Sequence, residues 1–154
     1  MPPATKPRRV LLVCMGNICR SPTAEEVLRT KATRASLAVQ FDSAGTENHH
    51  VGEPPDPRSI EHAQRRGYQL GHLRARQIGA EDFASFDLIL AADGINLSSL
   101  RVICPPDRRD RLQLLLGDQA LPDPYYGGSD GFEKVLDMVE KRADYLVSQW
   151  IRGN

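Results

Sequence analysis

The stretch VLLVCMGNICRSP, Val10 to Pro22, passes from an apolar run through a short loop into a helix start. Val10 to Cys14 follows Arg8 and Arg9 without a polar break, as expected of a strand buried on both faces of a parallel sheet. Ser21-Pro22 reads as an N-cap and first-turn pair, and Ala24, Val27, Leu28, Ala32 and Ala35 recur on one helical face. Leu37 to Ser43 is β-compatible. The spacing therefore predicts a βαβ unit with the right-handed crossover that parallel pairing almost always takes.

Working outward, Asp56-Pro57 predicts a helix start, with Ile60 and Ala63 facing inward and an end near Gly67. Residues 70 to 80 read as irregular. Leu88 to Ala92 and Leu112 to Leu116 are two more buried-strand signatures, separated by a short helix through Leu97 and Leu100. From Phe132, the positions Val135, Leu136, Val139, Ala143, Leu146, Val147 and Trp150 mark a long amphipathic helix, with Asp130 and Glu133 as its capping box. The alternation predicts an α/β fold: a doubly wound four-stranded parallel sheet with helices on both faces. Ligands of such folds sit beyond the carboxyl ends of the strands, where the loop after Val13 lies.

A length of 154 residues predicts a single domain, read here as 8 to 154 behind a flexible leader over 1 to 7. With 40% apolar and 26% charged residues the chain excludes disordered, fibrous and low-complexity classes. Twenty Lys and Arg against twenty Asp and Glu remove the electrostatic case for broad nucleic-acid or membrane-surface binding, so any anion site is local. The uncharged run Val10 to Cys19 is too short for membrane insertion, and Val10 to Val13 is too short for a secretory core. Three cysteines (Cys14, Cys19, Cys104) suit a reducing compartment and predict a cytoplasmic protein.

Cys14 and Arg20 are separated by five residues at a strand-to-helix turn, in Cys14-Met15-Gly16-Asn17-Ile18-Cys19-Arg20-Ser21. Five residues curled around one anion bring their peptide N–H groups onto phosphoryl oxygens, helped by the positive end of the following helix. Gly16 and Asn17 permit positive φ there. The same field favours Cys14 as a thiolate able to attack phosphorus, and the planar fork of Arg20 suits two equatorial oxygens better than a lysine would. Ser21 either bonds the Cys14 sulfur or caps the helix, and both roles are compatible. Average composition yields Cys-x5-Arg-Ser by chance in roughly one chain of this length in a hundred, so the flanking strand, helix and Gly-Asn pair carry much of the weight. The bland alternative is a buried cysteine beside a surface arginine. A nucleotide-binding loop would need Gly-Lys-Ser or Gly-Lys-Thr where this chain has Cys-Arg-Ser. Asp123, in a Pro-rich loop after the last strand, is either a proton donor or an ordinary turn aspartate on these grounds alone. Cys104 reads as a small buried residue, and the adjacent His49 and His50 lack partner ligands, so no metal and no cofactor is expected.

CMGNICRSP, together with Asp123-Pro124-Tyr125-Tyr126, closely resembles the low-molecular-weight protein tyrosine phosphatases. The resemblance extends over nearly the whole chain, through FDSAGT around Ser43, PDPR at 55 to 58, GHLRARQI at 71 to 78 and DPYYG near the end. It implies a metal-free phosphomonoesterase working through a cysteinyl-phosphate, with Asp123 as proton donor. It implies a network joining Asn17 to Ser43 and His72. It also implies capture of an oxidised Cys14 by Cys19, with simple packing as that residue's alternative role. Met15 to Cys19, Ser21, His49, Tyr125 and Tyr126 would line the substrate site, turn packing being the alternative for the two tyrosines. The matching tyrosines in relatives can be kinase targets, which adds a cognate tyrosine kinase to the phosphotyrosine-bearing protein substrate as an expected partner. A monomer is expected, with weak self-association allowed.

The chain departs from the pattern where many relatives carry an aromatic residue, often Trp, before His-Val-Gly: here His49 precedes His50-Val51-Gly52. That removes a stacking interaction worth roughly 0.5 to 1.5 kcal/mol from a phosphotyrosine ring. Three alternatives follow. Thiol-dependent arsenate reduction on the same fold needs two further cysteines after the third strand, whereas Ala91-Ala92-Asp93-Gly94 has none and only Cys104 follows. The phosphoarginine phosphatases resemble this loop with Thr in place of Ile18. A non-catalytic phosphopeptide-binding module would need neither Cys14 nor Asp123.

Overall fold

β1 (Arg9–Cys14) runs between β2 (Gln40–Gly45) and β3 (Leu88–Ala91), and β4 (Leu112–Leu114) completes a parallel sheet in the order β2-β1-β3-β4. The computed structural model describes residues 5 to 125 and 127 to 153. Val10 pairs with Phe41 on one side and with Leu88 on the other. Because side chains alternate along a strand, β1 feeds two cores. Val10, Leu12 and Cys14 face α1 (Arg20–Arg34) and α5 (Ser129–Gly153), where Val27, Leu28, Leu136, Val139 and Trp150 pack. Leu11 and Val13 face the layer holding α3 (Asp82–Ser85) and α4 (Gly94–Ile103), with Phe83, Ile89, Leu97 and Leu100. Helices thus cover both faces, as the alternation predicts, and α2 (Pro57–Arg65) packs beside α5.

Several local expectations are corrected. β2 begins at Gln40, not Leu37, because Leu37 closes α1: its N–H donates to Ala32 O at 2.9 Å and Ser36 takes φ +58° in a left-handed cap. α1 starts at Arg20 with Cys19 as N-cap and no side-chain cap bond, so Ser21 is inside the helix and its hydroxyl is used elsewhere. β4 is three residues long, although Leu115 and Leu116 stay buried beyond it. α5 begins at Ser129, so Asp130 lies inside its first turn rather than at the cap, and the Glu133 carboxylate bonds His62 and Arg66 across the α2 interface. The short α3, where Asp82 accepts from Gly79 N–H at 2.8 Å, has no counterpart in the periodicity. Asp56 does cap α2, accepting from Arg58 N–H at 2.8 Å. Within the segment read as a leader, Lys6 Nζ donates to Ala38 O at 3.1 Å and Pro7 is buried.

The sheet order places β2 and β3 on opposite sides of β1, so the chain leaves β1 at a topological switch point. In open parallel sheets a crevice opens beyond the carboxyl ends of the strands at such a point. The segments after Cys14 and after Ala92 lie there.

Candidate active site

The loop after β1 is shaped from outside. Thr46 N–H donates to Cys14 O at 2.9 Å, Glu47 N–H to Met15 O at 3.0 Å, Asp56 N–H to Ile18 O at 2.8 Å, and Thr23 Oγ1 to Cys19 O at 2.7 Å. In a planar trans peptide the N–H points opposite to the preceding carbonyl. Turning those four carbonyls outward therefore turns the N–H groups of Met15, Gly16, Cys19 and Arg20 toward the loop's interior, a nest for an anion. The close approach depends on Gly45, since a Cβ there would sit 2.6 Å from Met15 O.

Asn17 adopts φ +58°, and its side chain holds that turn. Its Nδ2 donates to Ser21 Oγ at 2.8 Å and to Ser43 Oγ at 2.9 Å, while Oδ1 accepts from Arg76 N–H at 3.0 Å. Gly16 has no positive φ, contrary to expectation; its missing side chain makes room for His50, whose Cδ2 would lie 3.0 Å from an added Cβ. Ser21 Oγ, already accepting from Asn17, lies 3.0 Å from Cys14 Sγ.

His72 does not join this network. It lies on the surface, with Nε2 3.3 Å from Glu26 Oε1. Glu25 takes the place expected of it: Ser43 Oγ donates to Glu25 Oε1 at 2.6 Å, and Glu25 is buried. Burial raises the Glu25 pKa, opposed by the bonds from Ser43 and Arg29.

Arg20 forms the floor. Its Nη1 donates to Asp93 Oδ2 and to Leu121 O, both at 2.8 Å, which uses both hydrogens and leaves the Nε–Nη2 edge for a ligand. Nη2 is 3.7 Å from Asp123 Oδ2. The Arg20 side chain is 4% exposed and that of Asp123 37%, so the arginine lies at the bottom and the aspartate at the rim. Tyr125 N–H donates to Asp123 Oδ1 at 3.0 Å. Met15, Gly16, Ile18, Cys19, His49, His50 and Tyr125 line the same cavity as Cys14, Arg20 and Asp123. Tyr126 lies outside the described residues.

Cys19 is nearly inaccessible, and burial pushes its thiol up to about 12, so it is protonated at neutral pH. Cys104 is buried in the core on the other sheet face. Among the described residues no group of three or more His, Cys, Asp and Glu side chains is gathered as a metal ion would require. No helix described is long and apolar enough to cross a membrane.

Sequence reasoning misses Asp93, Glu25, Arg58 and His50. Asp93 carried a signal, an Asp-Gly before a helix, and it does cap α4 by accepting from Asn96 N–H at 2.8 Å. Nothing local indicates that its second oxygen aims Arg20.

A sequence model described as low molecular weight phosphotyrosine protein phosphatase matches residues 9–153. A putative low-molecular-weight protein-tyrosine-phosphatase of Synechocystis is 42% identical, the match covering 91% of this chain and 94% of that protein. The human low molecular weight phosphotyrosine protein phosphatase is 40% identical over 83% of this chain and 86% of its own. The crystal structure of a protein tyrosine phosphatase from Entamoeba histolytica with Hepes in its active site superposes with a TM-score of 0.90 at 34% identity. That superposition covers 95% of this chain and 98% of the other.

Proposed function

The chain belongs to the low-molecular-weight phosphotyrosine protein phosphatases, and from that premise we propose that Cys14, Arg20 and Asp123 hydrolyse phosphotyrosine through a cysteinyl-phosphate. The observation that carries this reading is the order of groups across one cavity. Ser21 faces the Cys14 sulfur at the base, Asp93 aims Arg20, and Asp123 stands at the rim 3.7 Å from that guanidinium.

The Cys14 thiolate attacks phosphorus and forms the S–P bond as the P–O bond to the tyrosine breaks. Asp123, as the acid, gives its proton to the departing phenolic oxygen. A water then attacks phosphorus while the Asp123 carboxylate takes its proton; the S–P bond breaks, inorganic phosphate leaves, and thiolate and acid are restored. The inward N–H groups and the free edge of Arg20 stabilise charge on the equatorial oxygens throughout.

The partner that this chemistry requires is a phosphotyrosine-bearing protein. Cys14, Cys19 and Cys104 are all free thiols, which supports placing the enzyme in a reducing compartment such as the cytoplasm.

The test is a series of aryl phosphates with leaving groups of graded acidity. Cys14→Ser is expected to abolish turnover. Asp123→Asn is expected to lower kcat/KM by about 10² to 10⁴-fold for the poorest leaving groups and far less for the best, the range of general-acid contributions. An equal loss for every leaving group would remove Asp123 from the proton-transfer role.

A further inference from the structure

We propose that Arg58, gripped by Asp56, is a positioning residue that couples the proton-donor loop to the phosphate loop. The inference rests on Asp123 being the proton donor. Asp56 N–H donates to Ile18 O at 2.8 Å, so Asp56 is tied to the phosphate loop. Its carboxylate meets Arg58 as a fork, Oδ1 accepting from Nε at 3.0 Å and Oδ2 from Nη2 at 2.8 Å. Arg58 Nη2 also donates to Tyr125 O at 3.1 Å, and Tyr125 N–H in turn donates to Asp123 Oδ1. The path from the anion nest to the acid's carboxylate is therefore continuous through four hydrogen-bonded steps.

Ring contacts run beside it. The Arg58 guanidinium carbon stands 4.8 Å from the Phe132 ring centre and 5.5 Å from that of Tyr125. Phe132 packs with Ile18, Cys19 and Ala75 in a small cluster that includes two phosphate-loop residues. A planar guanidinium can satisfy a bidentate carboxylate, a carbonyl and two ring faces together, whereas an ammonium cannot.

What this arrangement sets is the reach of Asp123 toward the leaving oxygen. Asp123 sits in the loop between β4 and α5 and lines the same cavity as the nucleophile. A displacement of the order of 1 Å can cost about a hundredfold in a step that needs alignment. Exposed ion pairs add little to global stability, and the Arg58 side chain is 43% exposed, so a variant there is expected to fold.

The test measures kcat/KM of Arg58→Met for graded aryl phosphates, alone and in an Asp123→Asn background, with the melting temperature followed alongside. We expect a loss of about tenfold for the poorest leaving groups, a fraction of the full general-acid contribution, and less than about twofold for p-nitrophenyl phosphate. Inhibition by inorganic phosphate should stay unchanged. In the Asp123→Asn background the same substitution should change kcat/KM by less than about twofold, since the group it positions is gone. Arg58→Lys should behave like Arg58→Met.

An equal loss for all leaving groups, a loss that persists in the Asp123→Asn background, or full rescue by lysine would overturn the proposal. Should Asp123→Asn alone show no leaving-group dependence, the reading of Asp123 fails first, and the role of Arg58 falls with it.

Discussion

The Ser21 hydroxyl lies 3.0 Å from Cys14 Sγ, within hydrogen-bond reach of the sulfur, and also bonds Asn17. Asn17 Nδ2 donates to Ser21 Oγ at 2.8 Å and fills one of its two acceptor sites, and because a thiolate can only accept, the Ser21 hydrogen goes to the sulfur when Cys14 is in its nucleophilic form. A hydrogen bond to a charged group is worth about 1.5 to 3 kcal/mol. Ser21→Ala should therefore lower kcat/KM for an aryl phosphate by about ten- to a hundredfold, and slow iodoacetamide alkylation of Cys14 at pH 7. An alkylation rate equal to wild type would show that the hydroxyl does not act on the sulfur.

Gly45→Ala tests the claim that the phosphate loop is moulded by the strand beside it. The new Cβ would stand 2.6 Å from Met15 O, a backbone atom that can give way only if the loop moves. Activity should fall by about tenfold or more, in line with the cost of misplacing groups by fractions of an ångström. Near-normal kcat/KM would mean that the loop's shape does not depend on this contact.

The two loop cysteines should differ sharply in reactivity. Burial holds Cys19 as a thiol, pushed up to about 12, and the thiolate is the reactive form. Peptide mapping after iodoacetamide treatment between about pH 6 and 8, below the ordinary thiol range, should find label on Cys14 and none on Cys19. Label on Cys19 of the folded protein would contradict its placement.

Asp56 gives a pH signature. The fork from Arg58 holds its carboxyl below the ordinary aspartate range, with burial acting the other way. Because the unfolded chain binds this proton more readily, the stabilisation is present above the ordinary aspartate pKa and is lost as pH falls through the folded value. Asp56→Ala, which also removes the α2 cap, should cost about 1 to 2 kcal/mol near pH 7. The difference from wild type in denaturant titrations should narrow below about pH 4. A difference independent of pH would show that the pairing contributes nothing.

Local chemistry accounts for what was legible beforehand. Val10 to Cys14 could be placed because an unbroken apolar run has few uses other than a strand covered on both faces, and both cores do draw on it. The Cys14 to Arg20 spacing was visible because a closed loop of peptide groups is a local object. What escaped was set by contacts between distant segments. Asp93 and Arg20 are 73 residues apart, and Arg58 reaches Tyr125 across 67. The family resemblance offered His72 to the Asn17 network, yet a residue of α1 four positions after Ser21, Glu25, lies closer to Ser43 and is buried with it. Leu37 looked like the start of a strand because its apolar character does not distinguish a strand from the residue that seals a helix end.

The most direct measurement is rapid-quench mass spectrometry of the enzyme turning over an aryl phosphate. A single phosphoryl group should appear within the first turnover on the peptide containing Cys14, and should accumulate further in Asp123→Asn as its hydrolysis slows. Repeated absence of any covalent adduct, with turnover unaffected by alkylation of Cys14, would contradict the account.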